Sequence, residues 1–269
     1  MRRFILKSSF LAAIALSAVF IAFGQPSDAK AKAPRGRELI GEVLKYDAKV
    51  NKILHGISVA ELTLSVTAAS NPSELAIRAE AVSKGTLLKI FRYSFLQQYD
   101  STLDASFRIL KSTKHDVQKE RVRDSEAVFD YGRKMVTFVE TDPKDASRAP
   151  RSIASDIGDH VLDMVSAIYY LRLETLAIGK RFDLSVSDSG LVYKIPIAVT
   201  AREMQKTVLG NVWCYRIEPE IFGPGRLIEQ QGKMVIWMTD DARHTPVRSQ
   251  INAQIGKIDI KLKRTPPAK

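Results

Sequence analysis

A strict two-residue alternation constrains this chain more than any other feature. From Ile57 to Ala68, the side chains of Ala60, Leu62, Leu64, Val66 and Ala68 are apolar, while Glu61, Thr63, Ser65 and Thr67 fall between them. Successive side chains of an extended strand face opposite sides, so this pattern specifies a half-buried strand and not a helix. Leu191, Tyr193, Ile195, Ile197 and Val199 repeat it against Lys194, Thr200 and Arg202. Pro196 lies inside that run and has no N–H to donate, which marks the strand as an edge or as bulged. Ile251, Ala253 and Ile255, then Ile258, Ile260 and Leu262, read as two strands joined or bent at Gly256.

Further strand candidates are residues 39–50, 74–82, 106–113, 127–131, 134–140, 206–218 and 225–239. Turn residues separate them at Asn71-Pro72-Ser73, Asp130-Tyr131-Gly132, Asp188-Ser189-Gly190, Leu209-Gly210-Asn211 and Gln230-Gln231-Gly232. Many strands with short connections make an antiparallel sheet, because parallel pairing needs crossover helices and few are available.

One long helix is expected over 156–175, after a loop at 143–155, with Ser155 or Asp156 as its N-cap. Val161, Leu162, Met164, Val165, Ala167, Ile168, Leu171 and Leu173 cover more than half its circumference, so it must be buried on most sides. Asp159, Asp163, Ser166 and Tyr170 would form a narrow polar stripe spanning about 60°. Arg172 stands alone among apolar residues opposite. A helix this apolar needs a concave partner, and a strongly twisted antiparallel sheet supplies one. The expected fold is therefore mainly β, a large curved antiparallel sheet forming a half-open β-barrel around one long apolar helix. A two-layer α+β sheet is the alternative. Residues 86–91 fit a short helix or a buried strand equally.

The N-terminus has the form of an export signal. Arg2, Arg3 and Lys7 precede an apolar stretch from Phe10 to Phe23, and small residues at Ser27 to Ala31 offer cleavage spacing. The stretch is shorter than the roughly 20 residues of a spanning helix. Residues 1–29 are thus expected to be a Sec-type signal peptide, 30–37 a flexible lead-in, 38–264 a single β-rich domain and 265–269 a tail, with the protein in the periplasm. The sole cysteine is Cys214, far from the apolar stretch, which excludes a lipoprotein anchor and an internal disulfide. A net charge of +11, reduced to +9 without the three cations and one carboxylate of residues 1–29, first suggests nucleic acid. The basic residues are scattered, however, and export removes the chain from that partner, so an anionic membrane surface is the expected electrostatic partner instead.

The sequence has no HExxH, GxSxG, GxxxxGK[ST] or strand-following GxGxxG motif. Asp156, Asp159, His160 and Asp163 have the spacing of ligands on one helix face, and Asp240, Asp241 and His244 form a second acidic group. Helix capping and a tight turn explain these residues more simply, so no metal, cofactor or catalytic residue is assigned. The strand from Met234 to Met238 is apolar on both faces. Met164, Ile168, Ile236, Trp237 and Met238 are accordingly the candidate lining of an apolar ligand cavity.

From Glu38 to Arg264 the chain resembles the domain-of-unknown-function family 3108 of exported bacterial proteins. The resemblance rests on Gly41-Glu42-Val43-Leu44-Lys45-Tyr46, on Asp163-Met164-Val165-Ser166 with Tyr169-Tyr170-Leu171-Arg172, and on Ala201-Arg202-Glu203 with Gly210-Asn211-Val212-Trp213-Cys214. It continues through Glu218-Pro219, the run from Gly232 to Arg248 and Ile255-Gly256. It implies an envelope-located β-rich domain with no assigned activity, similar in outline to open-barrel carriers of lipoproteins and glycolipids. Within it, Asp163, Arg172, Glu203 and Asp241 are the candidate buried polar framework, with Glu203 or Asp163 as the carboxylate for Arg172. Helix geometry argues against Asp163. The expected function is a non-catalytic binding or carrier module for a lipid or acyl chain. The alternative is a structural or assembly factor acting through protein contacts without a ligand.

Overall fold

In the computed structural model, the residues described are 35–50, 57–85, 89, 92–253 and 256–264. The expected signal peptide, most of the lead-in, the tail and most of 86–91 lie outside them.

The strands are β1 Val43–Val50, β2 Ile57–Ala68, β3 Leu75–Ser83, β4 Phe95–Leu103, β5 Ile109–Gln118, β6 Arg121–Asp130, β7 Met135–Thr141 and β8 Arg151–Asp156. They continue with β9 Arg181–Asp188, β10 Leu191–Thr207, β11 Gly210–Pro219, β12 Gly232–Thr239, β13 Pro246–Ala253 and β14 Gly256–Arg264. All belong to one antiparallel sheet of 14 strands in the order β8-β7-β6-β5-β4-β3-β2-β1-β14-β13-β12-β11-β10-β9. The chain is therefore mainly β, as the alternation requires. Strands β4, β8 and β9 were not legible from periodicity. On β4, Gln97, Tyr99 and Ser101 occupy the inward positions, so the strand shows no apolar phase.

β10 has neighbours on both sides and is not an edge strand. Pro196 is tolerated because it pairs with Asp183 of β9, whereas the ladder with β11 begins only at Ile197. The missing N–H faces no strand there, and the carbonyl of Pro196 accepts from the N–H of Glu220 at 2.9 Å.

The sheet curls. Its edge strands β8 and β9 share no ladder, yet Gly190, in the β9–β10 turn, touches β7 and β8. A Cβ at Gly190 would lie 2.6 Å from the Cβ of Phe138 and 2.9 Å from that of Ile153, and the residue has φ +82°. Only glycine allows both the conformation and the approach. The gap between the edges is bridged by residues 157–163, where Leu162 exchanges backbone hydrogen bonds with Ser185 (3.0 Å) and Ser187 (2.8 Å) of β9.

This bridging segment corrects the expected helix. Among the described residues the one α-helix, α1, spans Met164–Arg172 rather than 156–175, and residues 151–156 form β8 instead of a loop. Ile157, Val161 and Leu162 are buried, as their apolar character demands, but in extended backbone along the sheet. Asp163 is the true N-cap: its carboxylate accepts from the N–H groups of Val165 (3.1 Å) and Ser166 (2.7 Å), and Ser166 Oγ accepts from the Asp163 N–H (2.9 Å).

Alternating strand directions put the β2–β3, β4–β5, β10–β11 and β12–β13 connections at one end, and α1 lies there. Tyr170 packs on Phe107 of the β4–β5 turn, and Arg172 reaches Arg243 of the β12–β13 turn. The main core joins Leu39, Leu75, Phe107, Tyr169 and Leu171 at this end to the inward residues of β1–β3 and β9–β14.

Candidate functional site: the inward face of the sheet and the helix-end cleft

Register decides which side chains share the inward face. Tyr46 opposes Leu62 and Leu262, Ala48 opposes Ile260, Ser249 opposes Ile236 and Ile260, Ile217 opposes Ile236, and Tyr193 opposes Val186. On this face burial rises toward the α1 end in β10, β12 and β14, whereas on β2 Ala60, one step farther from α1 than Leu62, is buried with Ala48 and Val59 in a separate small cluster. Leu62 is half-buried while Leu64 and Val66 are buried; Ile258 and Ile260 are half-buried while Leu262 is buried. Met234 is half-buried while Ile236 and Met238 are buried, and Tyr193 is half-buried while Ile195, Ile197 and Val199 are buried. The inward apolar surface is thus covered at the helix end and partly open to water toward the other.

Across β4–β6 the same face turns polar. Leu62 is followed along its row by Ala81, Gln97, Asp116 and Arg123, and Leu64 by Ala79, Tyr99, Lys114 and Ser125. Arg123 meets Asp142 at 2.5 Å, Gln97 donates to Asp116 at 3.0 Å, and Lys114 lies 5.0 Å from the Tyr99 ring centre. Burial, together with the neighbouring Asp188 and Asp163, pushes the Tyr99 phenol well up, so it stays protonated as a donor to Asp188. A small cavity of about 30 Å³ lies here, lined by Tyr99, Lys114, Ser125, Asp163, Met164 and Asp188. It has room for water and not for an organic molecule.

At the helix end a cleft of about 730 Å³ is lined by Leu39, Ile40, Glu42, Arg172, Leu173, Leu176, Arg243 and His244 among others. Its floor holds an ion pair. Arg172, with 1% of its side chain exposed, makes a bidentate contact with Glu42, Nη2 to Oε1 at 2.7 Å and Nη1 to Oε2 shorter still. Arg172 Nε donates to the carbonyl of Arg243 at 3.2 Å, and its guanidinium lies 5.1 Å from the Tyr169 ring centre. Burial alone would lower the Arg172 pKa, but the hydrogen bonds and charge of Glu42 outweigh it and raise it. Burial also pushes the phenol of Tyr46 well up, and its hydroxyl donates to the carbonyl of Pro246 at 2.8 Å.

The expected sites are placed differently from one another. Ile236 and Met238 are packed in the core, and Ile168 is half-buried against it. Trp237 points to the opposite face, where Nε1 donates to Glu203 at 2.8 Å and Arg248 stacks 4.8 Å from the ring centre. Met164 is 41% exposed at the start of α1. These five side chains therefore do not line one cavity. The polar framework also separates into parts. The partner of Arg172 is Glu42, not Glu203 or Asp163: Glu203 pairs with Arg216 at 3.3 Å on the outer face, and Asp163 caps α1 and accepts from Ser101 Oγ. Asp241 closes the β12–β13 turn, accepting from Thr239 Oγ1 at 2.8 Å and from the Arg243 N–H at 2.9 Å.

The metal-like spacing of Asp156, Asp159, His160 and Asp163 does not survive as a cluster, because residues 157–163 are not helical. Asp156 ends β8, Asp159 is exposed, and His160 packs 5.0 Å from the Tyr170 ring. Among the described residues no group of three or more His, Cys, Asp or Glu side chains is arranged to hold a metal ion. Sequence reasoning missed Glu42, whose partner lies 130 positions away. It also missed the half-buried inward residues Leu62, Tyr193, Met234 and Ile260, although the alternation phase already places Leu62, Tyr193 and Ile260 on the apolar face of their strands.

Residues 45–263 match the model of a family described as "Protein of unknown function (DUF3108)". No curated protein matches the chain. Among solved structures, it is similar to the crystal structure of a β-barrel-like protein of domain of unknown function DUF1849 from Brucella abortus, with a TM-score of 0.53 and 10% identity. The likeness covers 84% of this chain and 97% of that one. At this identity it concerns the fold.

Proposed function

The chain belongs to the DUF3108 family of proteins of unknown function, and from that premise we propose that it is a non-catalytic binding or carrier module for an apolar ligand, a lipid or acyl chain of the cell envelope. In this reading the curled sheet is a half-open barrel, plugged at one end by α1 and entered from the other. The supporting observation is the gradient of burial along β10, β12 and β14. Leu62, Tyr193, Met234 and Ile260 face inward, pack on the core and remain partly exposed. Covering each such side chain would contribute up to about 1 kcal/mol, a driving force available to an acyl chain. The polar rows of β4–β6 on the same concave face suit the headgroup of an amphiphile. The signal-peptide form of the N-terminal sequence supports a periplasmic setting for this activity.

The test is native mass spectrometry of the protein recovered from the periplasm, compared with Ile260→Arg and Leu62→Arg. Both positions are partly exposed, so the fold tolerates a long snorkelling side chain there. Copurified lipid in the native protein, lost in both folded variants, is the expected result. A native protein without lipid that also fails to take up a fluorescent fatty acid would overturn the reading.

A further inference from the structure

The β10–β11 hairpin carries apolar side chains that the core does not use. β10 pairs with β9 only as far as Ala198, and β11 pairs with β12 only from Cys214. Beyond those points Met204–Thr207 and Gly210–Trp213 form a two-stranded arm joined by the turn at Val208 and Leu209, tied at its base where the carbonyl of Trp213 accepts from the N–H of Asp240 at 2.8 Å. One face of this arm is held down: Glu203 accepts from Trp237, and Gln205 accepts from Arg248 at 3.2 Å. The other face is open. Met204 and Trp213 form a cross-strand pair at 48% and 45% exposure, and Val208 and Leu209 at the tip are 54% and 43% exposed. Four large apolar side chains are thus left in water on a single arm, although elsewhere such residues are scattered.

The chemistry around them selects the partner. Residues 204–213 contain no carboxylate and one exposed lysine, Lys206, on the same face as Met204. Arg202 lies 4.4 Å from the Trp213 ring centre, with its charge at the base of the patch, where Asp240 binds it at 2.5 Å. The apolar tip comes first, Lys206 opposite Asn211 stands just behind it, and Trp213 with the Asp240-paired Arg202 lies behind that, an arrangement suited to the surface of an anionic bilayer. Hydrocarbon takes the tip, the headgroup region takes the indole, and lipid phosphates take the cations. The whole chain carries +11, so the approach to an anionic surface is favoured at long range as well.

We propose that the β10–β11 hairpin is a membrane-docking arm that seats Val208 and Leu209 in the outer layer of an anionic phospholipid bilayer, with Trp213 at the headgroup level. This does not depend on a ligand occupying the inward face, and vesicles alone test it.

The experiment uses the full chain and vesicles of phosphatidylethanolamine with phosphatidylglycerol, against vesicles of phosphatidylcholine. The two tryptophans divide the signal, because Trp237 is buried and Trp213 is exposed, so quenching by aqueous iodide or acrylamide reads Trp213. Expected are a blue shift and protection of Trp213 on the anionic vesicles, weakened by salt. The double variant Val208→Ser, Leu209→Ser should lose about tenfold or more of the protection-linked partitioning while keeping its melting temperature. Sedimentation that persists with Trp213 still open to quencher would show docking by another segment, such as the N-terminal apolar stretch, and would overturn the proposal. Absence of vesicle binding would overturn it, as would equal binding by the double variant. Self-association that is abolished by the double variant, without lipid binding, would assign the arm to a second copy of the chain instead.

Discussion

Arg172 and Glu42 lie 130 positions apart in sequence and meet in a bidentate ion pair that fastens the end of α1 to the residue just before β1. With 1% of the Arg172 side chain exposed, the guanidinium relies on Glu42 to compensate its buried charge. Glu42→Ala should therefore destabilise the fold by about 3–5 kcal/mol in urea titration, whereas Glu42→Leu with Arg172→Leu should cost much less. Equal losses in the single and double variants would show that the pair is not what holds the helix.

Gly190 should be intolerant of any side chain. Gly190→Ala combines positive φ with Cβ contacts below 3 Å to Phe138 and Ile153, for a loss of about 2–3 kcal/mol. Because the turn sits where the sheet edges meet, amide exchange should rise first in β8 and β9. A variant with native melting temperature and unchanged exchange in those strands would contradict this close approach.

Asp163 has two separable duties. Asp163→Ala removes the cap of α1 and strands the buried hydroxyl of Ser101, for a combined loss of about 2–3 kcal/mol. Asp163→Asn retains the cap oxygen and should lose less than half as much. Thermal melts of the two variants decide the matter, and equal losses would remove capping from the account.

These capping and bridging residues mark where the sequence was legible and where it was not. The alternation at Leu62 to Val66 and Ile195 to Val199 defines both strand type and inward face, because period two leaves no other arrangement. The apolar run at Ile157 to Leu162 was read as helix since burial alone does not distinguish a helix from extended backbone. The capping box at Asp163 and Ser166 was present in the sequence, seven residues after the start assigned from Asp156. The Arg172 partner had no local signal at all, for it depends on the curl that brings the start of β1 to the end of α1.

Acidification should weaken the fold in two stages. Burial, with Arg35 nearby, lowers the His160 pKa below its ordinary 6.5, so the folded state prefers the neutral ring. Its contribution is complete above about pH 6.5 and is lost as pH falls through the folded pKa, where the unfolded chain binds the proton more readily. The second stage comes from carboxylates such as Asp259. Burial would raise its pKa, but Arg248 outweighs that and lowers it, so its contribution is present above the ordinary 3.8 and lost as pH falls through the folded value. His160→Gln should abolish the first stage and leave the second. Urea midpoints between pH 7 and pH 5 that are as steep in the variant as in the native protein would assign the first stage elsewhere.

Cys214 should be inert until the sheet opens. It is fully buried, and burial, with Asp241 and Asp240 nearby, pushes its thiol up to about 11. Labelling by a thiol reagent at neutral pH should follow global unfolding and slow as stability rises. Rapid labelling of the native protein would mean that β11 frays at its junction with β12.

The strand order has a consequence for how the chain is made. Every pair of neighbours in the sheet is consecutive in sequence except one, the first strand beside the last. Two arms, β1–β8 and β9–β14, are runs of hairpins that can form as soon as they are synthesised or translocated. The seam between β1 and β14 must wait until the C-terminal strand has emerged, and it closes the longest loop in the sheet. Until then β1 presents a bare edge to any neighbouring chain. Loss of the nine residues of β14 would make that interval permanent and convert the seam into two templates for aggregation.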